Sequence, residues 1–228
     1  MLVDHNHPFY REKWNRMKKE NRFNGAFYYS KEIVKNIIPN IKTDRNWVTL
    51  NIPGEAFDHS IVFIHNNLNP DHYDWLMEYD DLILVCGIPE TCEKVQHIGT
   101  PIYLPLSVDV GYVRQFIAPK TRKTAYIGRP YKRRGIWFEL DVEYIEGLPR
   151  ERFLKCVAEY EKVYAVGRAA IEAKILGCDI LPYDPRFPNP AIWKIVDNSE
   201  AVDILQEKLD EIDKGGELWE SPGKISTT

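Results

Sequence analysis

The stretch VYAVGRAAIEAKILGCDILPYD, residues 163–184, predicts a strand, a glycine turn, a short helix, a second glycine and another strand. The apolar runs at its two ends are nearly continuous, which is typical of strands buried on both faces of a parallel sheet. Gly167 and Arg168 stand where strand becomes helix, Glu172 lies one turn later, and Gly177 follows the helix. A strand, helix and strand in this order predict an α/β fold.

Similar apolar runs recur along the chain, with room for a helix between most of them. The strand candidates are WVTLNI (47–52), SIVFIH (60–65), DLILVCG (81–87), PIYLPL (101–106), KTAYIG (123–128), DVEYIEG (141–147), KVYAVG (162–167), CDILPY (178–183) and IWKIVD (192–197). The helix candidates are SKEIVKNIIPNI (30–41), NPDHYDWLMEY (69–79), PETCEKVQHIG (89–99), LPRERFLKCVAEYE (148–161), GRAAIEAKILG (167–177) and SEAVDILQEKLDEIDKGG (199–216). This alternation predicts two Rossmann-like α/β lobes with parallel sheets, residues 1–115 and 116–228.

Composition and charge indicate a folded globular protein. The 228 residues are 44% hydrophobic, 28% charged and 12% aromatic, with a formal net charge of −4. No apolar run approaches the roughly 18 residues that span a bilayer, and the N-terminus lacks the apolar core of a signal peptide. The sequence therefore predicts a cytoplasmic protein without a transmembrane segment. The four cysteines lack a paired CxxC spacing, which favours buried reduced thiols over a zinc site.

One basic stretch departs from the acidic average. KTRKTAYIGRPYKRR, residues 120–134, contains seven lysines and arginines and no acid. Two interpretations are open for it, a solvated surface loop or a binding site for an anion.

The residues that follow predicted strands are the candidates for ligand binding, because open parallel sheets bind ligands outside the carboxyl ends of their strands. Gly167 and Arg168 begin a helix whose first N–H groups and dipole favour an anion. The carboxylate of Glu172 can accept hydrogen bonds from vicinal hydroxyls such as those of a ribose. Phosphate and sugar together describe a nucleotide. The residues alone equally allow Gly167 as a tight turn, Glu172 as a solvated helix residue and Gly177 as a helix cap.

The stretch GRAAIEAKILGCDILPYD resembles the nucleotide-binding element in the C-terminal domain of glycosyltransferases with the GT-B fold. TAYIGRPYKRRG resembles the first strand of that domain and its phosphate loop. LPLSVDVGYV is similar to the segment that joins the two domains, and LPRERFLKCVAEYEKVYA resembles the helix and strand before the nucleotide site. The resemblance covers about residues 60–184 in order.

This resemblance implies a GT-B-like architecture with a reduced acceptor-side lobe. It also implies transfer of a sugar from a nucleotide-diphosphate sugar, with a UDP-sugar as the commonest donor for such folds. Glu172 would bind the ribose hydroxyls, and Gly167, Arg168 and Ala169 would lie against the donor phosphates or sugar. The acceptor stays open among a glycan, a small molecule, a protein and DNA.

The resemblance further implies that Gly128, Arg129 and Lys132 bind the donor diphosphate. Arg129 and Lys132 would stabilise the charge that develops on the leaving nucleotide. Many retaining members of the family carry a second glutamate eight positions before the ribose-binding one, but here that position is Tyr164. The stereochemical outcome therefore stays open.

Few other residues are candidates for catalysis. His65 ends an apolar strand and is either a general base, a hydrogen-bond donor to the substrate or a structural residue. Asp109 is predicted to cap the helix that follows it. Asp71, His72 and Asp74 lie in the first turn of a predicted helix, where the helix dipole accounts for the acids better than a metal does. We expect no metal and no cofactor beyond the donor.

Two further functions remain open. A DNA-modifying glycosyltransferase would use the stretch 120–134, with Tyr126 and Tyr131 interleaved, to follow a nucleic-acid backbone. A non-catalytic nucleotide-binding or interaction protein derived from a glycosyltransferase would account for the missing glutamate and the short N-terminal half.

Overall fold

A computed structural model of the chain describes residues 25–48, 57–64, 73–128, 142–182, 189 and 193–215. The strands are β1 Asn46–Val48, β2 Ser60–Ile64, β3 Leu82–Cys86, β4 Thr100–Tyr103, β5 Ser107–Val108, β6 Arg122–Ile127, β7 Val142–Ile145, β8 Tyr160–Tyr164, β9 Asp179–Leu181 and β10 Val196–Asp197. The α-helices are α1 Gly25–Glu32, α2 Pro89–Val95, α3 Val110–Arg114, α4 Arg150–Ala158, α5 Arg168–Ile175 and α6 Asn198–Asp213. Short helical turns cover Ile33–Ile37, Ile38–Asn40 and Asp74–Glu78.

The strands form parallel sheets. The first sheet has the order β1-β2-β3-β4, and the second has the order β7-β6-β8-β9. Strands β5 and β10 form a separate parallel pair. Every strand pairing among the described residues is parallel, so the predicted α/β class with Rossmann-like parallel sheets is confirmed. None of the helices within the described ranges is long and apolar enough to cross a membrane.

The contacts of the chain divide it into two compact units. Among the described residues, the first unit contains Ile33–Pro105 and residues 199–215, and the second contains Gly25–Glu32 and Leu106–Asn198. Helix α1 therefore belongs to the second unit, and α6 belongs to the first beyond its initial residue. The domains 1–115 and 116–228 stay a prediction about which parts of the chain fold independently.

The core of the first unit follows from the apolar runs of its strands. Every residue of β2 and of β3 is buried, as expected for central strands covered on both faces. Helix α2 begins with Pro89 at its first position, as predicted, and its residues Cys92 and Val95 pack in the same apolar cluster as the strands. Packing of these side chains against the sheet, rather than helix propensity, stabilises so short a helix.

The predicted helix 30–41 differs from the observed one. The α-helix covers Gly25–Glu32, and a π-helical turn covers Ile33–Ile37. A helix that began at residue 30 would have Ser30 as its N-cap, but Ser30 is fully buried within the observed helix and does not cap its start. The sequence signal was misleading because serine favours helix caps in general, whereas this serine is enclosed by packing.

Two other predicted elements differ from expectation over the residues that are described. The predicted helix 69–79 is described from Tyr73 onward, and there it forms a 3₁₀ turn over Asp74–Glu78. Of the predicted strand 192–197, residues 193–197 are described, and they form a strand over Val196–Asp197.

Gly99 is the last residue of the predicted helix 89–99, but it does not end the observed helix. Helix α2 ends at a cap on Gln96, whose backbone is in the right-handed helical region. A Cβ atom on Gly99 would lie 2.6 Å from the carbonyl oxygen of Leu82, the first residue of the neighbouring strand β3. The glycine is therefore needed because two backbones approach closely, not because a helix ends there.

Candidate functional site

The second sheet has a topological switch point between β6 and β8. Strands β7 and β8 lie on opposite sides of β6, so the chain leaves β6 for one side and then returns to the other. In open parallel sheets such a reversal leaves a crevice outside the carboxyl ends of the two adjacent strands, and ligands bind there. We call the carboxyl ends of β6 and β8, with the start of α5, the candidate site.

Gly167 makes the turn from β8 into α5. Its backbone has φ +60° and ψ −144°, a conformation that is essentially restricted to glycine. Its carbonyl oxygen accepts hydrogen bonds from the N–H groups of Ala170 and Ile171 at 3.1 and 3.3 Å, which starts the helix. The first turn of α5 holds no acidic residue, so the positive end of its dipole is not neutralised from within the helix.

Gly128 lies directly after β6 and is explained by packing. A Cβ atom on Gly128 would lie 2.5 Å from the hydroxyl oxygen of Tyr126 and 2.9 Å from its Cζ atom. Tyr126 is 1% exposed, and its ring meets that of Tyr144 edge to face, with 6.0 Å between centroids. A larger residue at position 128 would displace a buried aromatic ring.

Glu172 is at the centre of a buried ion network. Its Oε1 accepts a hydrogen bond of 2.5 Å from Nε of Arg168, one helical turn earlier. Its Oε2 pairs with Nη1 of Arg150, the first residue of α4. The side chains of Glu172 and Arg168 are 2% and 4% exposed, and that of Arg150 is 15% exposed. One buried carboxylate therefore forms ion pairs with two guanidinium groups.

Glu32 extends the network from the other side of Arg168. Its Oε1 pairs with Nη2 of Arg168, and its Oε2 accepts from Nδ2 of Asn198 at 3.1 Å and from the backbone N–H of Asp109 at 3.2 Å. All of these residues belong to the second unit. In the part of the chain that the structure describes, Nη1 of Arg168 is buried without a hydrogen-bond partner. The guanidinium therefore retains donors for a further oxygen atom.

The network keeps both groups charged. Burial by itself would raise the pKa of Glu172, but the charges of Arg168 and Arg150 outweigh it and hold that pKa below its usual range. Burial would likewise lower the pKa of Arg168, whereas Glu172 and Glu32 raise it. The balanced charges, two carboxylates and two guanidinium groups, explain how so many ions are accommodated with little solvent.

The structure places most of the predicted nucleotide-binding residues at one edge of the second sheet. Gly128 follows β6, while Gly167, Arg168, Ala169 and Glu172 form the turn and the start of α5. Both oxygens of Glu172 are engaged by arginines and its side chain is 2% exposed, so a ribose hydroxyl could reach the carboxylate only if this network rearranged.

Several predicted residues lie elsewhere or outside the described ranges. His65, Arg129 and Lys132 fall among residues that the structure does not describe. Tyr164 ends β8 and packs against the pair of buried residues Tyr126 and Val142.

Two of the three described cations of the basic stretch 120–134 are engaged in structural contacts. Nζ of Lys120 donates to the carbonyl oxygens of Ala158 and Leu176, both at 2.8 Å, at the ends of two helices. Arg122 pairs with Glu143 at 2.5 Å, and its guanidinium lies 4.8 Å from the centre of the Tyr160 ring. These two cations therefore stabilise the fold.

Asp109 and Asp74 have structural roles. Asp109 caps α3, since its Oδ1 accepts from the backbone N–H of Tyr112 at 2.8 Å, and its predicted capping role is confirmed. Asp74 lies 3.6 Å from Nε2 of His97. Within the described ranges, no group of three or more histidine, cysteine or acidic side chains is placed to hold a metal ion.

Sequence reasoning missed Glu32 and Arg150. Both residues are charged, and both belong to helices that were predicted only from apolar spacing and capping signals. Neither spacing nor composition indicates that residues 32, 150 and 172 meet, because the contacts join segments far apart in the chain. The sequence signal that could have indicated them is a charged residue next to the apolar face of its helix.

Comparison of the chain with protein-family models, with curated proteins and with solved structures found no match.

Proposed function

We propose that the chain is a glycosyltransferase with a GT-B-like, two-lobe architecture that binds a nucleotide-diphosphate sugar at the candidate site. A UDP-sugar is the expected donor. The sugar passes to an acceptor by displacement at the anomeric carbon. Arg129 and Lys132 neutralise the leaving diphosphate, and His65 serves as a base or as a hydrogen-bond donor to the substrate.

The switch point of the second sheet is the observation that carries this proposal. The carboxyl ends of β6 and β8 meet there, next to a helix that starts at a glycine with an unusual backbone. This arrangement favours an anionic ligand with a planar or sugar-like part, as in nucleotide-binding α/β proteins. The sequence resemblance supplies the reaction class, which the fold does not specify.

Calorimetric titration of the purified chain with UDP, GDP, CDP, dTDP and ADP tests the proposal. We expect micromolar binding of one of these nucleotides, and hydrolysis or transfer of the matching nucleotide sugar. The variant Arg129→Ala with Lys132→Ala should weaken binding of the diphosphate while the protein stays folded. Absence of binding by all five nucleotides to the folded chain would contradict the proposal.

Lys123→Ala is the matched control for loss of positive charge. Lys123 is exposed near the start of β6, and the candidate site lies at the opposite end of that strand. If this control weakens nucleotide binding as much as the double variant does, the effect is general electrostatics and Arg129 and Lys132 are not specific contacts.

The second candidate is a non-catalytic nucleotide-binding or interaction protein. It is favoured by the engagement of both oxygens of Glu172 and by Tyr164 in place of a second acid. This alternative predicts nucleotide binding without transfer to any acceptor and without hydrolysis of the donor. Detection of either reaction excludes it.

The DNA-modifying alternative stays a prediction, and the contacts of the basic stretch do not add support to it. Lys120 donates to carbonyl oxygens at two helix ends, and Arg122 pairs with Glu143. A steep decrease of DNA affinity with salt would support this alternative, since each phosphate contact releases counterions.

A further inference from the structure

The segments that lead into the first three strands are joined by one histidine. His59 directly precedes β2, Asp81 directly precedes β3, and Asp44 lies shortly before β1. Nδ1 of His59 lies 2.5 Å from Oδ2 of Asp81, and its Nε2 lies 3.2 Å from Oδ1 of Asp44. All three residues belong to the first unit, at the amino ends of its strands.

The backbone at this edge holds two residues in the left-handed region. His59 has φ +57° and Asp81 has φ +53°, and these are the two non-glycine residues with positive φ in the described ranges. Left-handed conformations are unfavourable for residues with a Cβ atom, so other contacts must hold them. The N–H of His59 donates to the carbonyl of Asp80, and its carbonyl accepts from the N–H of Asn46, both at 3.0 Å.

Other charged groups surround the ring. Nη1 of Arg45 lies 3.0 Å from both Oδ1 and the carbonyl oxygen of Asp81, and the Arg45 side chain is 8% exposed. Oδ1 of Asp58 accepts from the N–H of Asp80 at 2.8 Å. The ring therefore faces Asp44 and Asp81, with Arg45 bound to the far oxygen of Asp81.

Two carboxylates on one imidazole require two ring protons. A neutral imidazole donates from one nitrogen only, and its other nitrogen then presents a lone pair to a carboxylate. The imidazolium donates from both nitrogens and satisfies both contacts. We propose that His59 is a pH-sensitive clamp on the segments leading into β1, β2 and β3, closed while its ring carries two protons and open after it loses one to water.

The direction of the pH effect follows from the same contacts. The hydrogen bonds with Asp81 and then Asp44 raise the pKa of His59. The pKa of Asp44 is lowered by its hydrogen bond with His59; burial would raise that of Asp81, but the contacts with His59 and Arg45 lower it. The stabilisation by His59 is thus complete below its unfolded pKa of about 6.5 and is lost as pH rises through the folded value. The stabilisation by Asp44 and Asp81 is lost only when the pH falls through their own lowered pKa values.

Histidine NMR of the full chain tests the clamp. We expect the ring of His59 to titrate above the ordinary histidine value of about 6.5, because two carboxylates contact it. Asp44→Asn should lower this titration midpoint, whereas Asp74→Asn, which removes a partly exposed carboxylate elsewhere in the first unit, should leave it unchanged. Asp44 is 90% exposed, so its variant should fold. A midpoint of His59 at or below about 6.5 in the wild-type chain, or no change in Asp44→Asn, would overturn the proposal.

Hydrogen exchange of the backbone then shows whether the clamp controls the strand ends. The N–H of Asn46 is bonded to the carbonyl of His59, so its protection should decrease between about pH 6 and pH 8 after correction for intrinsic exchange. The decrease should be absent in His59→Gln and retained in His97→Gln. Protection of Asn46 that does not depend on pH in the wild-type chain would contradict an opening clamp.

Discussion

Replacement of Glu172 by glutamine tests the buried ion network most directly. The amide has the size of the carboxylate but no charge, so Arg150 would be left beside a neutral group, while Arg168 would keep Glu32 as its charged partner. Loss of one partner of a buried ion pair destabilises by about 3–5 kcal/mol. Glu172 pairs with two guanidinium groups that are 4% and 15% exposed, so we expect a loss within that range even though Glu32 remains. Such a change is a large fraction of the roughly 5–15 kcal/mol that stabilises a typical domain.

Urea unfolding near neutral pH provides the measurement, followed by circular dichroism and by fluorescence of the six tryptophans. Glu143→Gln is the matched control, because Glu143 pairs with Arg122 in a bridge whose side chains are 51% and 37% exposed. That variant should lower the free energy of unfolding by about 0–1 kcal/mol. The double variant Arg168→Met with Glu172→Gln should lose less than the sum of the single variants.

The outcome that refutes this reasoning is a small effect of Glu172→Gln. A loss within about 1 kcal/mol of the wild type, or a loss equal to that of Glu143→Gln, would mean that Glu172 does not hold two buried arginines in their charged state.

Three other predictions concern the helices around the candidate site. Gly177→Ala should lower the free energy of unfolding in urea by about 1 kcal/mol or more, because Gly177 has φ +81°. Gly111→Ala should be neutral or stabilising, because the nearest described atom to its Cβ would be Oδ1 of Asp109 at 3.6 Å, an ordinary contact. Lys120→Met should lower the free energy of unfolding by about 1.5–3 kcal/mol, because two carbonyl groups at helix ends lose a charged donor. Lys123→Met, at an exposed position, should change the free energy of unfolding by less than about 0.5 kcal/mol. The contribution of Glu172 should be complete above its ordinary pKa of 4.5 and lost as pH falls through its lower folded pKa, so urea midpoints in acid should fall more steeply for wild type than for Glu172→Gln.

Much of the fold could be predicted because apolar runs and glycines act locally. Strands β2, β3 and most of β6 coincide with continuous apolar runs, whose burial needs no knowledge of distant residues. Strand β8 begins two residues before its predicted run and carries the exposed residues Glu161 and Lys162. Gly177 caps the end of α5, which was one of the two interpretations of the sequence. Its N–H donates to the carbonyl oxygen of Lys174, and the N–H of Cys178 donates to that of Ala173, which is the hydrogen-bond pattern of a Schellman motif. The role of Gly99 was missed because it depends on a contact with a neighbouring strand.

The candidate site could be predicted only in part for the same reason. The turn at Gly167 and the start of α5 follow from local sequence, and they were located correctly. The partners of Glu172 come from α4 and α5, and the second partner of Arg168 comes from α1. No local pattern specifies a pairing between residues 32 and 168, so the buried network could be found only from the fold.

The engagement of Glu172 leads to one further prediction about the nucleotide. A ribose hydroxyl is neutral and cannot replace the charge of a guanidinium, and breaking a largely buried ion pair is costly, so ribose hydroxyls alone should not displace an arginine from Glu172. A diphosphate could compensate Arg150 for the loss of its carboxylate, since Arg150 is the more exposed of the two arginines. Under this exchange, the chain binds a nucleoside diphosphate but not the nucleoside.

Arg150→Met distinguishes competition of Arg150 with the ribose from attraction of Arg150 to the diphosphate. It removes the competitor for Oε2 of Glu172 and also removes the cation that would receive the diphosphate. We therefore expect nucleoside affinity to rise and diphosphate affinity to fall, both measured by calorimetry. Arg152→Met, an exposed position on the same helix, should change neither. If Arg150→Met weakens both ligands equally or affects neither, Glu172 does not exchange arginine for ribose, and its role is confined to holding α4 and α5 together.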